Sequence, residues 1–378
     1  MDAGRGPDAD LFCRVIDNFG DAGVCWRLAR ALATDHGWRI RLWIDAPEAL
    51  ARIKPGGWDE GGIEVRQWTK LPADIEPAAC VIEAFACELP RRYIDAMAAR
   101  PQPPRWFNLE YLSAEDWVEG CHGLASRDPA TGLAKHFFFP GFTPRTGGLL
   151  RERDLFARRD AWRGDRALQQ ATFARLGMQP DPGALQLSLF SYESPAIATL
   201  LDALAAGSRP AQLWVPEGRA LAAIEALYGR ALRPGEAYRR GALDLRPLRF
   251  MDQDDYDALL WHADLNIVRG EDSFVRAQWA ARPLLWHIYR QQDDAHLVKL
   301  DAFLDRLCAD LDPAPAPAQA LRAAHAAWNR DLPLSPGGWQ ALFLALPALQ
   351  KHAEAWATCL ARQPDLASQL VSFNQTPI

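Results

Sequence analysis

The sequence predicts an α/β protein of two doubly wound, Rossmann-like lobes. Short apolar runs alternate with segments of helical spacing through the first third of the chain. The same alternation begins again near Ala184, and between residues 141 and 183 the pattern weakens into glycines, prolines and many arginines. Such alternation implies a mainly parallel sheet with helices on its faces. At 378 residues the chain exceeds one ordinary core, and it suits two lobes of roughly 150 to 200 residues each. The expected division is a first lobe at 1–165, a linker at 166–183, a second lobe at 184–350, and a crossing helix and tail at 351–378.

The first lobe opens with a strand at 11–16, a loop at 17–23 and a helix from Val24 to His36. Gly37 supplies the stop, because glycine tolerates the left-handed conformation that ends helices. Strands at 38–44, 63–68, 80–85 and 105–109 follow, with helices at 47–53 and 89–100 among them. His136 to Phe142 reads as core or loop anchor, and a helix at 166–176 lies in the junction. The second lobe has strands at 184–190, 211–215, 243–248, 265–268 and 284–288, alternating with helices at 195–206, 219–228, 253–263 and 273–281. Helical patterns continue from His296. The stretch 340–362 is long enough to return to the first lobe, and residues beyond it, lacking a clear period, are expected to fray. Residues 313–317 alternate proline and alanine and read as a stiff connector.

Composition narrows the class. No apolar run reaches the ~18 residues that a membrane helix needs. Residues 1–8 lack an apolar stretch after a positive start, so no signal peptide and a cytoplasmic location are expected. Seven cysteines, without a close pair at metal-ligand spacing, read as reduced thiols, and the eight histidines are scattered, so no metal is expected. A net charge of −6 argues against broad nucleic-acid binding. Fifteen tryptophans fill the core or line the ligand crevice, where some are available for stacking.

In sheets of this kind ligands bind past the carboxyl ends of the strands, where strand order reverses. The segment Arg269-Gly270-Glu271-Asp272-Ser273 follows an apolar run and opens a helix. A first helical turn with its unpaired N–H groups and dipole suits a diphosphate, with Arg269 and Ser273 assisting. Glu271 and Asp272 repel phosphate, so at least one of them is expected to face a sugar or a catalytic partner. Plain helix capping explains the same acids. The loop from Asp17 to Gly23 offers two carboxylates, Asp17 and Asp21, beside glycines that allow a ligand close, which suits a base. A turn former and an N-cap are the bland alternatives. The loop lacks the glycine fingerprint of dinucleotide sites, which weakens a nicotinamide-dependent oxidoreductase.

Phe190 and Tyr192, between a strand and a helix, are placed to stack on a base or to form the crevice wall. The acids from Asp252 to Asp257 resemble a metal-holding Asp-x-Asp pair but precede a helix, where they stabilise the first turn; Gln253 can bond a pyrimidine edge. Glu83, Glu110 and Tyr111 end strands of the first lobe and are candidates for acceptor binding, or else buried, hydrogen-bonded side chains.

Taken together, FCRVIDNFGDAGVCWRLAR at 12–30, EAFACELP at 83–90, NLEYLS at 108–113, FFFPGF at 137–142 and VRGEDSFVRAQW at 268–279 resemble the EarP family, the protein-arginine rhamnosyltransferases of bacterial elongation factor P. The likeness runs from about Leu11 to beyond Leu300. It implies a GT-B fold with two Rossmann-like lobes facing a cleft. It also implies metal-independent, inverting transfer of rhamnose from dTDP-β-L-rhamnose to an arginine of elongation factor P, which activates the factor. Position by position, the family's catalytic acids fall on Asp17, Asp21 and Glu271, without deciding which aspartate is the base. Its nucleotide-sugar contacts fall on Asn18, Phe19, Gly20, Tyr192, Gln253, Arg269, Gly270, Glu271, Asp272 and Ser273, with Phe190 beside the base. Ala22 stands where relatives are expected to carry a larger aliphatic residue. A protein that grips elongation factor P under nucleotide control without modifying it is the non-enzymatic alternative.

Overall fold

The computed structural model describes residues 8–16, 19–58, 61–311 and 315–376. Apolar runs become fully buried strands, as expected of parallel sheets covered on both faces. Two units result, one of Met1–Arg153 with Leu360–Ile378 and one of Asp154–Cys359.

The first unit holds β1 (Ala9–Cys13), β2 (Ile40–Ile44), β3 (Ile63–Gln67), β4 (Cys80–Ala84), β5 (Arg105–Leu109), β6 (Ala125–Arg127) and β7 (Ala134–Phe138) in the order β3-β2-β1-β4-β5-β7-β6. All pairs are parallel except β6 with β7. Strand order reverses between β1 and β4, so the loops after these strands mark the ligand end of the sheet. On one face Phe12 stacks on Trp43 at 5.9 Å and meets the edge of Tyr93 at 4.7 Å. Helix Gly20–His36 follows β1, is buried along most of its length, and closes on Gly37 at φ 69. Its Arg27 pairs with Glu152 through two bonds of 2.6 and 2.8 Å, locking the helix to the chain that leaves the sheet.

The second unit holds β8 (Leu185–Leu189), β9 (Ala211–Pro216), β10 (Tyr238–Arg240), β11 (Leu243–Leu248), β12 (Leu265–Arg269) and β13 (Leu284–His287) in the order β10-β11-β9-β8-β12-β13. Only β10 runs antiparallel to its neighbour. The reversal falls between β8 and β12, which places the loops carrying Tyr192 and Gly270 side by side.

Several elements depart from the sequence reading. Residues 154–183 join the second unit, because Trp162 packs on Trp261 at 5.9 Å, Phe173 on His262 at 4.8 Å, and Arg175 pairs with Asp255 at 2.9 Å. The helices Leu155–Gly164 and Arg166–Leu176 fill the stretch that begins there, so it is more than a connector. The tail does not fray: Leu366–Gln375 is a helix capped by the Asp365 carboxylate, which accepts the Ser368 N–H at 2.9 Å. Helix Pro315–Asn329 takes up part of the proline-alanine stretch, since proline fits a first helical turn. The aromatic run before Pro140 is β7, paired with β5.

Candidate active site

In the first unit the described candidate residues lie at or past the carboxyl ends of β1, β4 and β5. Asp17 and Asn18 fall outside the described residues. Phe19 is the N-cap of helix Gly20–His36, with the Arg52 guanidinium 5.4 Å over its ring. Gly20 is the first helical residue, and the Phe19 carbonyl accepts the Gly23 N–H at 2.8 Å. Asp21 therefore lies one residue inside the helix and is not its cap. The residue is 3% exposed; Oδ2 accepts the Ile16 N–H at 2.8 Å and Oδ1 lies 3.5 Å from the Tyr111 hydroxyl. A side chain held by its own loop and by an aromatic of the loop after β5 is fixed in direction.

Tyr111 stacks flat on Phe85 at 4.3 Å. Phe85 belongs to a turn in which Phe85, Ala86 and Glu88 all have φ between 50 and 58. Left-handed conformations at side-chain-bearing residues cost on the order of 1 kcal/mol or more each and gather where function demands a particular shape. Two polar side chains hold this one: Asn108 Oδ1 accepts the Ala86 N–H at 3.0 Å and Glu83 Oε1 accepts the Glu88 N–H at 2.9 Å. Glu83 also accepts Trp106 Nε1–H at 3.1 Å and lies 3.3 Å from Lys135. It is thus a buried support of the turn. Glu110 is half-buried and accepts the Asn108 amide. Nearby Cys25 is buried beside Cys13 and Asp21, and desolvation followed by these neighbours pushes its thiol well above the usual range, which leaves it protonated and inert.

In the second unit Arg269 ends β12 with its guanidinium carbon 4.8 Å from the rings of both Phe190 and Tyr192. It is 8% exposed, its Nη1 is buried without a hydrogen-bond partner, and no carboxylate among the described residues pairs with it. A buried, unneutralised cation is costly unless it meets an anion. Gly270 follows at φ 61; its N–H donates to the His287 carbonyl at 3.3 Å and its carbonyl accepts Trp286 Nε1–H at 2.7 Å. Helix Asp272–Trp279 then begins at Glu271 without a side-chain cap, so the positive end of its dipole points into the turn.

Ser273 is buried and its hydroxyl donates to the Arg269 carbonyl. Asp272 Oδ2 accepts Gln253 Nε2–H at 3.0 Å and Arg276 Nε–H at 2.8 Å, and Arg276 continues to Asp257 at 2.9 Å. Gln253 and Asp272 are therefore tied together, and Glu271 is half-buried at the helix start. The acids near Gln253 divide their work. Asp252 caps helix Gln253–His262 by accepting the Asp255 N–H at 2.9 Å, while Asp254 and Asp255 form ion pairs with arginines. No group of three or more potential metal ligands occurs among the described residues. No helix there is long and apolar enough to cross a membrane.

The structure thus brings Phe190, Tyr192, Gln253, Arg269, Gly270, Glu271, Asp272 and Ser273 to one end of the second sheet, and Asp21, Glu83, Glu110 and Tyr111 to the corresponding end of the first. The sequence reading missed His287, 5.1 Å from Tyr192, and Tyr256, 5.5 Å from Phe190. Their positions at a strand end and inside a helix were legible; their neighbours were not.

Two Rossmann-like units, the second with an arginine against two aromatic rings at its switch point, are the parts of which GT-B glycosyltransferases are built. The model of the family described as "Elongation-Factor P (EF-P) rhamnosyltransferase EarP" matches residues 9–375, and the chain belongs to that family. It is 50% identical over 373 residues to a protein-arginine rhamnosyltransferase of Pseudomonas putida, covering 96% of this chain and 97% of the relative. A protein of the same name from Pseudomonas aeruginosa is 49% identical over 371 residues, covering 96% and 98%. Among solved structures, one described as the "Structural basis for EarP-mediated arginine glycosylation of translation elongation factor EF-P" matches with a TM-score of 0.70 at 37% identity, covering 98% of this chain and 99% of that one.

Proposed function

We propose that this chain transfers rhamnose from dTDP-β-L-rhamnose to an arginine side chain of translation elongation factor P in the cytoplasm, in one inverting displacement, and so activates the factor. The observation that carries the reading is the unpaired, buried Arg269 guanidinium between Phe190 and Tyr192. A pyrimidine nucleoside diphosphate answers both features. Its ring stacks on an aromatic face and its diphosphate neutralises the cation. The names carried by the relatives supply the acceptor and the sugar.

The chemistry asks for a base. An arginine guanidinium stays protonated at neutral pH, with pKa above about 12, and its delocalised lone pairs make it a poor nucleophile. In the proposed step an acceptor nitrogen forms the bond to the anomeric carbon as the bond from that carbon to the diphosphate oxygen breaks. The proton on the nitrogen passes to Asp21, and dTDP leaves. Asp17 holds the remaining guanidinium N–H groups and restrains delocalisation. Arg269 and the N–H groups at the start of helix Asp272–Trp279, that of Ser273 among them, stabilise the leaving diphosphate, which needs no metal in this scheme. Glu271 supports the positive charge that develops on the sugar ring. Tyr111, resting on Phe85 and reaching Asp21, orients the base and offers the acceptor guanidinium an aromatic face.

Intact-mass spectrometry of elongation factor P after incubation with the protein and dTDP-rhamnose tests the reading. A gain of one deoxyhexose, lost when an arginine of the factor is replaced, is expected. Unchanged mass with retained binding of the factor is the outcome of the non-enzymatic alternative, and retention of NAD rather than dTDP is that of the oxidoreductase.

A further inference from the structure

His287 is the last residue of β13 and lies in register with Arg269 of β12. Its ring and that of Tyr192 meet nearly at right angles with centroids 5.1 Å apart, and it stands 6.4 Å from Trp328. The residue is 8% exposed, and its Nδ1 is buried without a hydrogen-bond partner. Its backbone, by contrast, is engaged, the carbonyl accepting the Gly270 N–H. Another buried histidine of the same unit shows what a structural imidazole looks like here: His325 Nε2 accepts the Trp286 N–H at 3.1 Å while Nδ1 lies 3.0 Å from the Leu321 carbonyl. His287 has no such pair of partners on its ring nitrogens. Burial, reinforced by the charge of Arg269, holds its pKa at about 3, so the ring is neutral at physiological pH.

Two buried ring or guanidine nitrogens without partners, His287 Nδ1 and Arg269 Nη1, therefore sit on adjacent strands at one register level, both bordering Tyr192. Arg269 Nη1 carries hydrogens and His287 Nδ1 can carry the one hydrogen of its ring, so together they suit a ligand that brings acceptors. A second cation beside Arg269 would repel it, whereas a neutral imidazole adds hydrogen-bonding capacity without adding charge. We propose that His287 is a donor-binding residue that gives its Nδ1–H to an oxygen of the diphosphate that Arg269 also holds. The assignment rests on the nucleotide-sugar reading above and extends it to a residue on β13.

Calorimetry with dTDP and, by competition, with thymidine tests it on the full chain. His287→Phe keeps the ring that packs on Tyr192 but removes the nitrogen, and is expected to weaken dTDP binding about tenfold or more while thymidine binding is unchanged. His287→Asn, which keeps a side-chain N–H near the Nδ1 position, is expected to stay within about threefold of the wild type. Wild-type dTDP affinity in His287→Phe overturns the assignment, as does an equal loss for dTDP and thymidine, the mark of a packing role. Should the phenylalanine variant not fold, His287→Leu read against His287→Asn gives the same comparison. A wild-type protein that binds no dTDP overturns the nucleotide-sugar reading itself and this inference with it, and the wild-type titration separates the two failures.

Discussion

Gly270 occupies a left-handed conformation, φ 61, between the strand that ends in Arg269 and the helix that begins at Asp272. An L side chain there costs roughly 1 to 2 kcal/mol. Gly270→Ala is expected to lower unfolding stability by about that amount, read from the denaturant midpoint; an unchanged midpoint would show that the turn relaxes freely. Arg269, Phe190 and Tyr192 were legible in the sequence because each ends a strand or lies within three residues of its end, and strand ends are where ligands sit in doubly wound sheets. His287 was not, although its strand was anticipated. Its meaning depends on lying level with Arg269, and register between strands distant in sequence is a tertiary fact. Asp21 was foreseen at the loop, but its lodging one residue inside the helix, against Ile16 and Tyr111, required coordinates. Glu83 illustrates the converse: a strand-end carboxylate with chemical appearance whose partners tie it to the strained turn.

Among the elements, strands were the most readable, because a parallel sheet buried on both faces leaves runs of valine, leucine, isoleucine and tryptophan with few interruptions. The clearest error is the C-terminal helix. Leu366, Leu370 and Phe373 repeat at helical spacing behind an Asp365 cap, a signal that the preceding proline obscured. The helix is no appendage. Leu366, Ala367 and Leu370 are buried, Phe373 meets Phe107 at 5.7 Å and His136 at 5.6 Å, and the Leu366 N–H donates to the Leu149 carbonyl at 3.0 Å. Leu370→Ala is therefore expected to destabilise the first unit by about 2 to 5 kcal/mol, the range for emptying a buried leucine site. A loss under about 0.5 kcal/mol, typical of surface substitutions, would contradict the packing described.

For the whole molecule, chain length and repeated alternation were enough to give two Rossmann-like units, and the quoted motifs pointed to the EarP family. Where the first unit ends was less legible. The arginine-rich stretch after Arg153 looks polar in sequence, yet Trp162 and Phe173 turn inward against helix Gln253–His262 and carry it into the second unit. In the proposed chemistry the labour would be divided, carboxylates of the first unit handling the acceptor and the cationic, aromatic end of the second sheet handling the donor. The most direct measurement is dTDP titration and single-turnover kinetics on Asp21→Asn and Arg269→Ala side by side. The account predicts that Asp21→Asn binds dTDP like the wild type while turning over about a hundredfold or more slowly. It predicts that Arg269→Ala loses about tenfold or more in dTDP affinity. Wild-type turnover in the first variant, or wild-type dTDP affinity in the second, would contradict it.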